Sequence, residues 1–236
     1  MRSLARWAFL PLALCALACW LVGCPGGSSS SGSGSTGTGQ TYFPLTVGNH
    51  WVYQQQYSDG TFKDTCTADV GAQTTLAGNA VFPISYVEGA HADTPFTIFA
   101  NWDAKGLELY EVDTLAPLGT VKATGTPPAL FLPASAPTTQ QWSLAGSYIV
   151  SSDGATLNSG TFTNNPLQIV GTETVTVPAG TFANAVKCLV SVTQPGTSNT
   201  MTAYYWLAPG VGLVKGQDIK TNGNGLTLVL QSYTVK

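Results

Sequence analysis

The sequence predicts an all-β protein: an antiparallel meander forming a strongly curved sheet, an open barrel or a sandwich, with little helix apart from the first 23 residues. Three observations predict it. Apolar and polar residues alternate with a period of two through most of the chain after residue 40. Turn-forming pairs recur between the alternating runs. No stretch of that region carries the apolar stripe of period 3.6 that an amphipathic helix requires.

The elements follow in order. Gly48-Asn49 makes a tight turn, after which Trp51 and Tyr53 point to one face and Val52 and Gln54 to the other. Val81 to Val87 is rich in β-formers, although Pro83 argues for an edge or a bulge. Phe96 to Trp102 and Leu107 to Val112 alternate. Gln168-Ile169-Val170, Thr174 to Val177, Val186 to Val192, Thr202 to Leu207, Val211 to Ile219 and Leu226 to Val235 complete the strand-like runs. Asp59-Gly60, Ala77-Gly78-Asn79, Ala104-Lys105-Gly106, Asp153-Gly154 and Asn222-Gly223-Asn224-Gly225 read as hairpin connections. Pro127-Pro128 to Pro137 reads differently, as a surface loop around the apolar segment Ala129-Leu130-Phe131-Leu132, because prolines remove ladder donors. That segment is either a cover for one opening of the sheet or a long connection with one buried anchor.

The N-terminus has the order of a secretory signal peptide. Arg2 and Arg6 precede an uncharged apolar run from Trp7 to Val22, short for a membrane-spanning helix, which needs about 20 residues. Leu21-Val22-Gly23-Cys24 resembles the bacterial lipobox. The resemblance implies cleavage before Cys24, lipid on its sulfur and attachment to a membrane. Residues 1–23 are then the signal peptide, and 24–40 a lipidated cysteine with a Ser/Gly/Thr tether. The tether has too few apolar residues to build a core and has a mean reach of roughly 20 Å. Residues 41–236 form a single β-rich domain.

Composition excludes some partners. Both arginines fall in the first 23 residues, so the rest of the chain sets seven lysines against twelve acids. An acidic chain without arginine is a poor match for nucleic acid, whose phosphates demand dense Lys and Arg. After processing, Cys66 and Cys188 are the only cysteines besides Cys24. In an oxidising compartment the expected reading is a disulfide between them. The alternative is two separate buried thiols acting as small apolar residues.

Three segments resemble a known family when taken together. They are Tyr42-Phe43-Pro44-Leu45-Thr46-Val47-Gly48-Asn49-His50-Trp51-Val52-Tyr53, then Val177-Pro178-Ala179-Gly180-Thr181-Phe182, then Tyr204-Tyr205-Trp206-Leu207-Ala208-Pro209-Gly210-Val211-Gly212-Leu213-Val214-Lys215. The set resembles a family of exported bacterial lipoproteins of unknown function. The resemblance implies a curved antiparallel sheet like that of the Lol lipoprotein carriers, and the outer rather than the inner membrane. It does not extend to about Asp59 to Gln168.

Catalytic chemistry is not expected. His50 and His91 are the only histidines. Glu88, His91 and Asp93 are possible metal ligands by type, but no second histidine stands near them, and no metal or cofactor is expected. Glu108 and Glu111 fall on opposite faces of a regular strand, so they do not converge. The aromatics are more suggestive. Trp51, Tyr53, Trp102, Tyr205 and Trp206 either line a groove for an acyl chain or other apolar ligand, or fill the core. The expected function is a non-enzymatic, lipid-anchored binding or maintenance module of the cell envelope. Its partners would be the membrane, through Cys24, and an apolar ligand or an envelope protein. The alternatives are a lipid or lipoprotein carrier and a surface adhesion module.

Overall fold

A computed structural model describes residues 41–57, 59–89, 96–116, 119–152, 155–193, 200–219 and 225–236, without every side chain within the strands. The signal peptide, Cys24 and the tether therefore lie outside the described residues, as do His91, Asp93 and the turns at Asp153-Gly154 and Asn222 to Asn224. The described residues are almost entirely strand. In chain order they are β1 (His50–Tyr57), β2 (Phe62–Val70), β3 (Thr74–Leu76), β4 (Asn79–Glu88), β5 (Phe96–Trp102), β6 (Gly106–Ala116), β7 (Gly119–Pro133), β8 (Gln141–Ser152), β9 (Ala155–Val177), β10 (Gly180–Thr193), β11 (Thr200–Ala208), β12 (Gly212–Asp218) and β13 (Leu226–Thr234).

These strands make one curved antiparallel sheet in the order β2-β1-β13-β12-β11-β10-β9-β8-β7-β6-β5-β4-β3. It is a meander: each strand from β4 to β13 pairs with its chain neighbour. β2 also pairs with β4, from Cys66↔Glu88 to Val70↔Ile84, so the pairing order returns on itself. Closure of this kind satisfies edge donors and acceptors that a weakly charged protein would otherwise expose. Within the closed ring of strands the shortest ladder is the β12–β13 seam, with Lys215 to Gln217 paired. The tip of the β9–β10 hairpin covers that seam. Ala179 N–H donates to the Leu230 carbonyl at 3.0 Å, and the Phe182 ring lies 6.0 Å from that of Tyr233.

The turns follow their residues. Gly60, Gly78 and Gly106 all have positive φ at the ends of β1, β3 and β5, where the sequence placed hairpins. At Asp59-Gly60 the Asp59 carboxylate accepts from Thr61 N–H at 2.8 Å, which favours its charged form and lowers its pKa. Pro83 does not mark an edge or a bulge. β4 pairs with β3 through Asn79 to Val81 and with β2 from Ile84 onward. Pro83 sits where the partner changes, while its carbonyl still accepts from Gly71 N–H at 2.8 Å.

The proline-rich stretch is a correction to the sequence reading. Ala129 to Leu132 is not a loop segment but strand, paired with Leu107 to Leu109 of β6. The register jumps from Leu109↔Ala129 to Glu111↔Thr124, so residues 125–128 bulge out opposite Tyr110. Pro127 and Pro128 fall inside that bulge, where a missing N–H breaks no ladder bond. Beyond the strand, Pro133 to Thr138 forms turns.

One apolar core runs through the sheet from Tyr42 to Leu230. Cys66 and Cys188 both lie in it as free thiols, which corrects the expected disulfide. Their strands, β2 and β10, are separated in the sheet order by β1, β13, β12 and β11. Burial pushes each thiol up to about 12 from the ordinary 9.0. The charges of Glu88 and Asp64 add to the shift of Cys66.

Candidate functional site

The concave face of the sheet is not filled everywhere. Phe43 from the N-terminal segment, Ile84 and Tyr86 of β4, and Phe96 and Ile98 of β5 bound an apolar hollow together with Leu107 and Leu109 of β6, Phe131 of β7, Tyr205 and Leu207 of β11, and Leu213 of β12. Its cavity volume is about 90 Å³, and it opens to solvent. The period-2 rule explains the wall. Ile84 and Tyr86 share a face, as do Phe96 and Ile98, and the register sets Ile84 opposite Ile98 and Tyr86 opposite Phe96. The Tyr86 and Phe96 rings stack at 4.6 Å with only 1° between their planes. Burial raises the Tyr86 phenol above its ordinary value, so it stays neutral.

Of the five aromatics singled out in the sequence, Tyr205 lines this hollow. Trp51 and Tyr53 are fully buried on the same concave side, packed behind the wall. The Trp51 indole N–H donates to the Val211 carbonyl at 2.7 Å, and the Tyr53 hydroxyl donates to the Leu213 carbonyl at 3.1 Å. These bonds tie β1 to the β11–β12 connection and so hold Leu213 in place. Trp102 is half-buried at the margin of the core. Trp206 points away from Tyr205, as the alternation requires. Its indole N–H donates to the Glu173 carboxylate, and the Lys187 and Lys215 ammoniums lie 4.9 Å and 4.7 Å from its ring. The structure therefore does not bring the five together.

Phe43, Tyr86, Phe96 and Phe131 are site residues that the sequence reading did not single out. Alternation marks Tyr86 and Phe96 as inward, but only the curvature of the sheet decides which inward rings leave space between them. Phe43 depends on the N-terminal segment folding back. Asn49 fixes that fold: it is fully buried, donates from Nδ2 to the Pro44 carbonyl at 2.8 Å, and accepts from Lys236 N–H at 3.0 Å.

The polar groups lie elsewhere. His50 pairs with Asp69 across β1 and β2 at 2.6 Å, in an exposed position. Glu108 and Glu111 are both buried, because bulges at Leu107/Glu108 and Leu109/Glu111 break the regular alternation the sequence implied. Glu108 is held by Lys105 at 2.9 Å and by the Tyr110 hydroxyl at 3.2 Å. Burial, then the Glu108 charge, pushes Tyr110 up to about 12. Among the described residues, no three His, Cys, Asp or Glu side chains converge as metal ligands, and no helix is long and apolar enough to cross a membrane.

A curved antiparallel sheet around an apolar hollow thus defines the class of this protein. Residues 127–235, just under half of the chain, match the DUF3108-like family. Two solved structures resemble the fold. One, provisionally described as an exported protein with a YmcC-like fold from Bacteroides fragilis NCTC 9343, is 16% identical, with a TM-score of 0.50 over 83% of this chain and 100% of that one. The other, provisionally described as a lipoprotein from Parabacteroides distasonis ATCC 8503, is 18% identical, with a TM-score of 0.47 over 84% of this chain and 100% of that one. No curated protein matches the chain.

Proposed function

We propose that this chain is an exported, lipid-anchored, non-enzymatic binding module of the cell envelope, and that its curved sheet holds an apolar ligand. The hollow between Phe43, Ile98, Phe131 and Tyr205 carries this reading. Its walls are aliphatic and aromatic, the composition of a site that binds by excluding water. Anchoring follows from the lipobox-like Leu21 to Cys24, and the outer membrane from the family resemblance. A structural relative described as exported is consistent with export. The half-open mouth supports a second reading, a carrier that exchanges its ligand.

The test is uptake of a fluorescent fatty acid by the purified full-length Cys24→Ser protein, which carries no acyl chain of its own, with native mass spectrometry to detect co-purified lipid. Binding is expected, and Ile98→Trp, which fills the hollow, should weaken it at least tenfold while leaving the fold intact. No uptake and no co-purified lipid in a folded protein would overturn the reading. Transfer of bound probe between vesicles would favour the carrier.

A further inference from the structure

The described residues begin next to the wall of the hollow. The Thr41 carbonyl accepts from Gly210 N–H at 2.7 Å, and Gly210 lies in the β11–β12 connection between Leu207 and Leu213, both of which line the hollow. Two residues further on, Phe43 is itself part of the wall. The segment that reaches back to Cys24 therefore leaves the domain next to residues that line the hollow. We infer that the resident occupant of the hollow is an acyl chain carried on Cys24 of the same molecule. This rests on the reading that Cys24 is lipidated.

Length and composition support it. The 17 residues from Cys24 to Gln40 are mostly Ser, Gly and Thr. Such a composition predicts a mean end-to-end distance of roughly 20–25 Å. A connection of this length and composition gives an effective concentration on the order of millimolar. The exchange is also energetically even-handed. A methylene gains about 0.8 kcal/mol on leaving water, whether it enters a bilayer or an apolar pocket. Of the three chains on a fully processed lipoprotein, two suffice for lasting attachment. One chain can therefore enter the hollow while the others hold the membrane. The hollow is then self-plugged, and an incoming ligand must displace the protein's own lipid.

The test uses the full-length lipidated protein with benzoylphenylalanine in place of Phe131, reconstituted in vesicles of phospholipids with perdeuterated acyl chains. Intact mass first establishes the lipid on Cys24. After irradiation, the expected product joins the peptide containing position 131 to the protonated acyl chain of the Cys24 peptide, at least tenfold above any adduct with deuterated lipid. The same probe in place of Val170, which is exposed next to the fully buried Ile169 and so faces outward, should give no Cys24 adduct. If the position 131 variant does not fold, the probe in place of Ile98 carries the same test. A lipidated protein that cross-links only to deuterated lipid overturns the inference and leaves the apolar-ligand reading standing. An intact mass without acyl chains overturns the lipidation reading and the inference with it. Absence of any lipid adduct at both positions in a lipidated protein overturns the inference and the apolar-ligand reading alike.

Discussion

Two pairs of rings occupy the concave side of this sheet, and they are built differently. Trp51 and Tyr53 on β1 are fully buried, and each donates a hydrogen bond to a carbonyl in the β11–β12 connection or at the start of β12. Tyr86 and Phe96 on β4 and β5 stack on each other and look across open space towards Phe131 and Tyr205. The first pair is anchored by directional bonds and solid packing. The second is held by stacking, which tolerates movement. The same alternation of residues therefore yields a fixed half and an adaptable half, and the difference lies in what each ring meets across the sheet.

The comparison breaks most easily at Trp51. Trp51→Ala should cost about 3–5 kcal/mol, because it opens a closed cavity and removes the donor to Val211. Phe131→Ala should cost less than about half of that, because Phe131 is half-buried and already faces empty space. Urea denaturation of both variants measures the gap. Equal costs would mean that the two halves are packed alike.

The next effect concerns pH and belongs to the whole core. Cys66 and Cys188 keep their protons to about pH 12 when folded, against an ordinary value of 9.0. Above pH 9 the unfolded chain therefore binds fewer protons than the folded one, and stability falls as pH rises. It is fully present below pH 9 and is lost towards pH 12, by at most about 1.4 kcal/mol per pH unit for each thiol. Denaturation midpoints at pH 8, 9.5 and 10.5 should show this fall, and Cys66→Ala with Cys188→Ala should flatten it. An unchanged slope in the double variant would place the loss elsewhere. A thiol reagent at pH 8 should label the two cysteines only after unfolding.

Tyr53→Phe removes only the hydroxyl that reaches Leu213, at a cost of about 1–2 kcal/mol for a buried carbonyl left without its donor. Because Leu213 lines the hollow, the variant should also loosen fatty-acid binding, by two- to fivefold. Loss of stability with unchanged binding would show that the anchored half does not set the shape of the adaptable one.

Much of this was legible in the residues. β5 runs from Phe96 to Trp102, the limits its alternation implied, and β1, β11 and β13 follow their patterns closely. Gly48, with φ +82, makes the turn that its sequence requires. The strands of the middle were harder to see. β7 and β8 are rich in Ser, Thr, Gly and Pro, so their β character depends on pairing with β6 and β9 rather than on their own composition. The bulges that bury both Glu108 and Glu111 are equally invisible to a strict period of two. The same limit applies to the site. Trp51 and Tyr205 both read as inward aromatics, and only the curvature of the sheet makes one of them core and the other wall.

Two glycines give the finest test of that division. A Cβ at Gly212 would lie 3.4 Å from both the Phe43 and Trp51 rings, on a backbone with φ +107. Side chains other than glycine are strained there by about 1–3 kcal/mol, and Trp51 is pinned by its bond to Val211, so Gly212→Ala should cost at least that much. A Cβ at Gly216 would meet the Tyr205 ring at 3.3 Å, but its backbone is not strained and Tyr205 borders the hollow. The ring can give by a few tenths of an ångström into open space. The alanine also narrows the unfolded ensemble, a gain of about 0.4–1 kcal/mol. Gly216→Ala should therefore be close to neutral in thermal denaturation, while a shifted Tyr205 ring lowers fatty-acid affinity slightly. A large loss of stability at Gly216 would mean that Tyr205 has no room to move, and that the hollow is tighter than its walls imply.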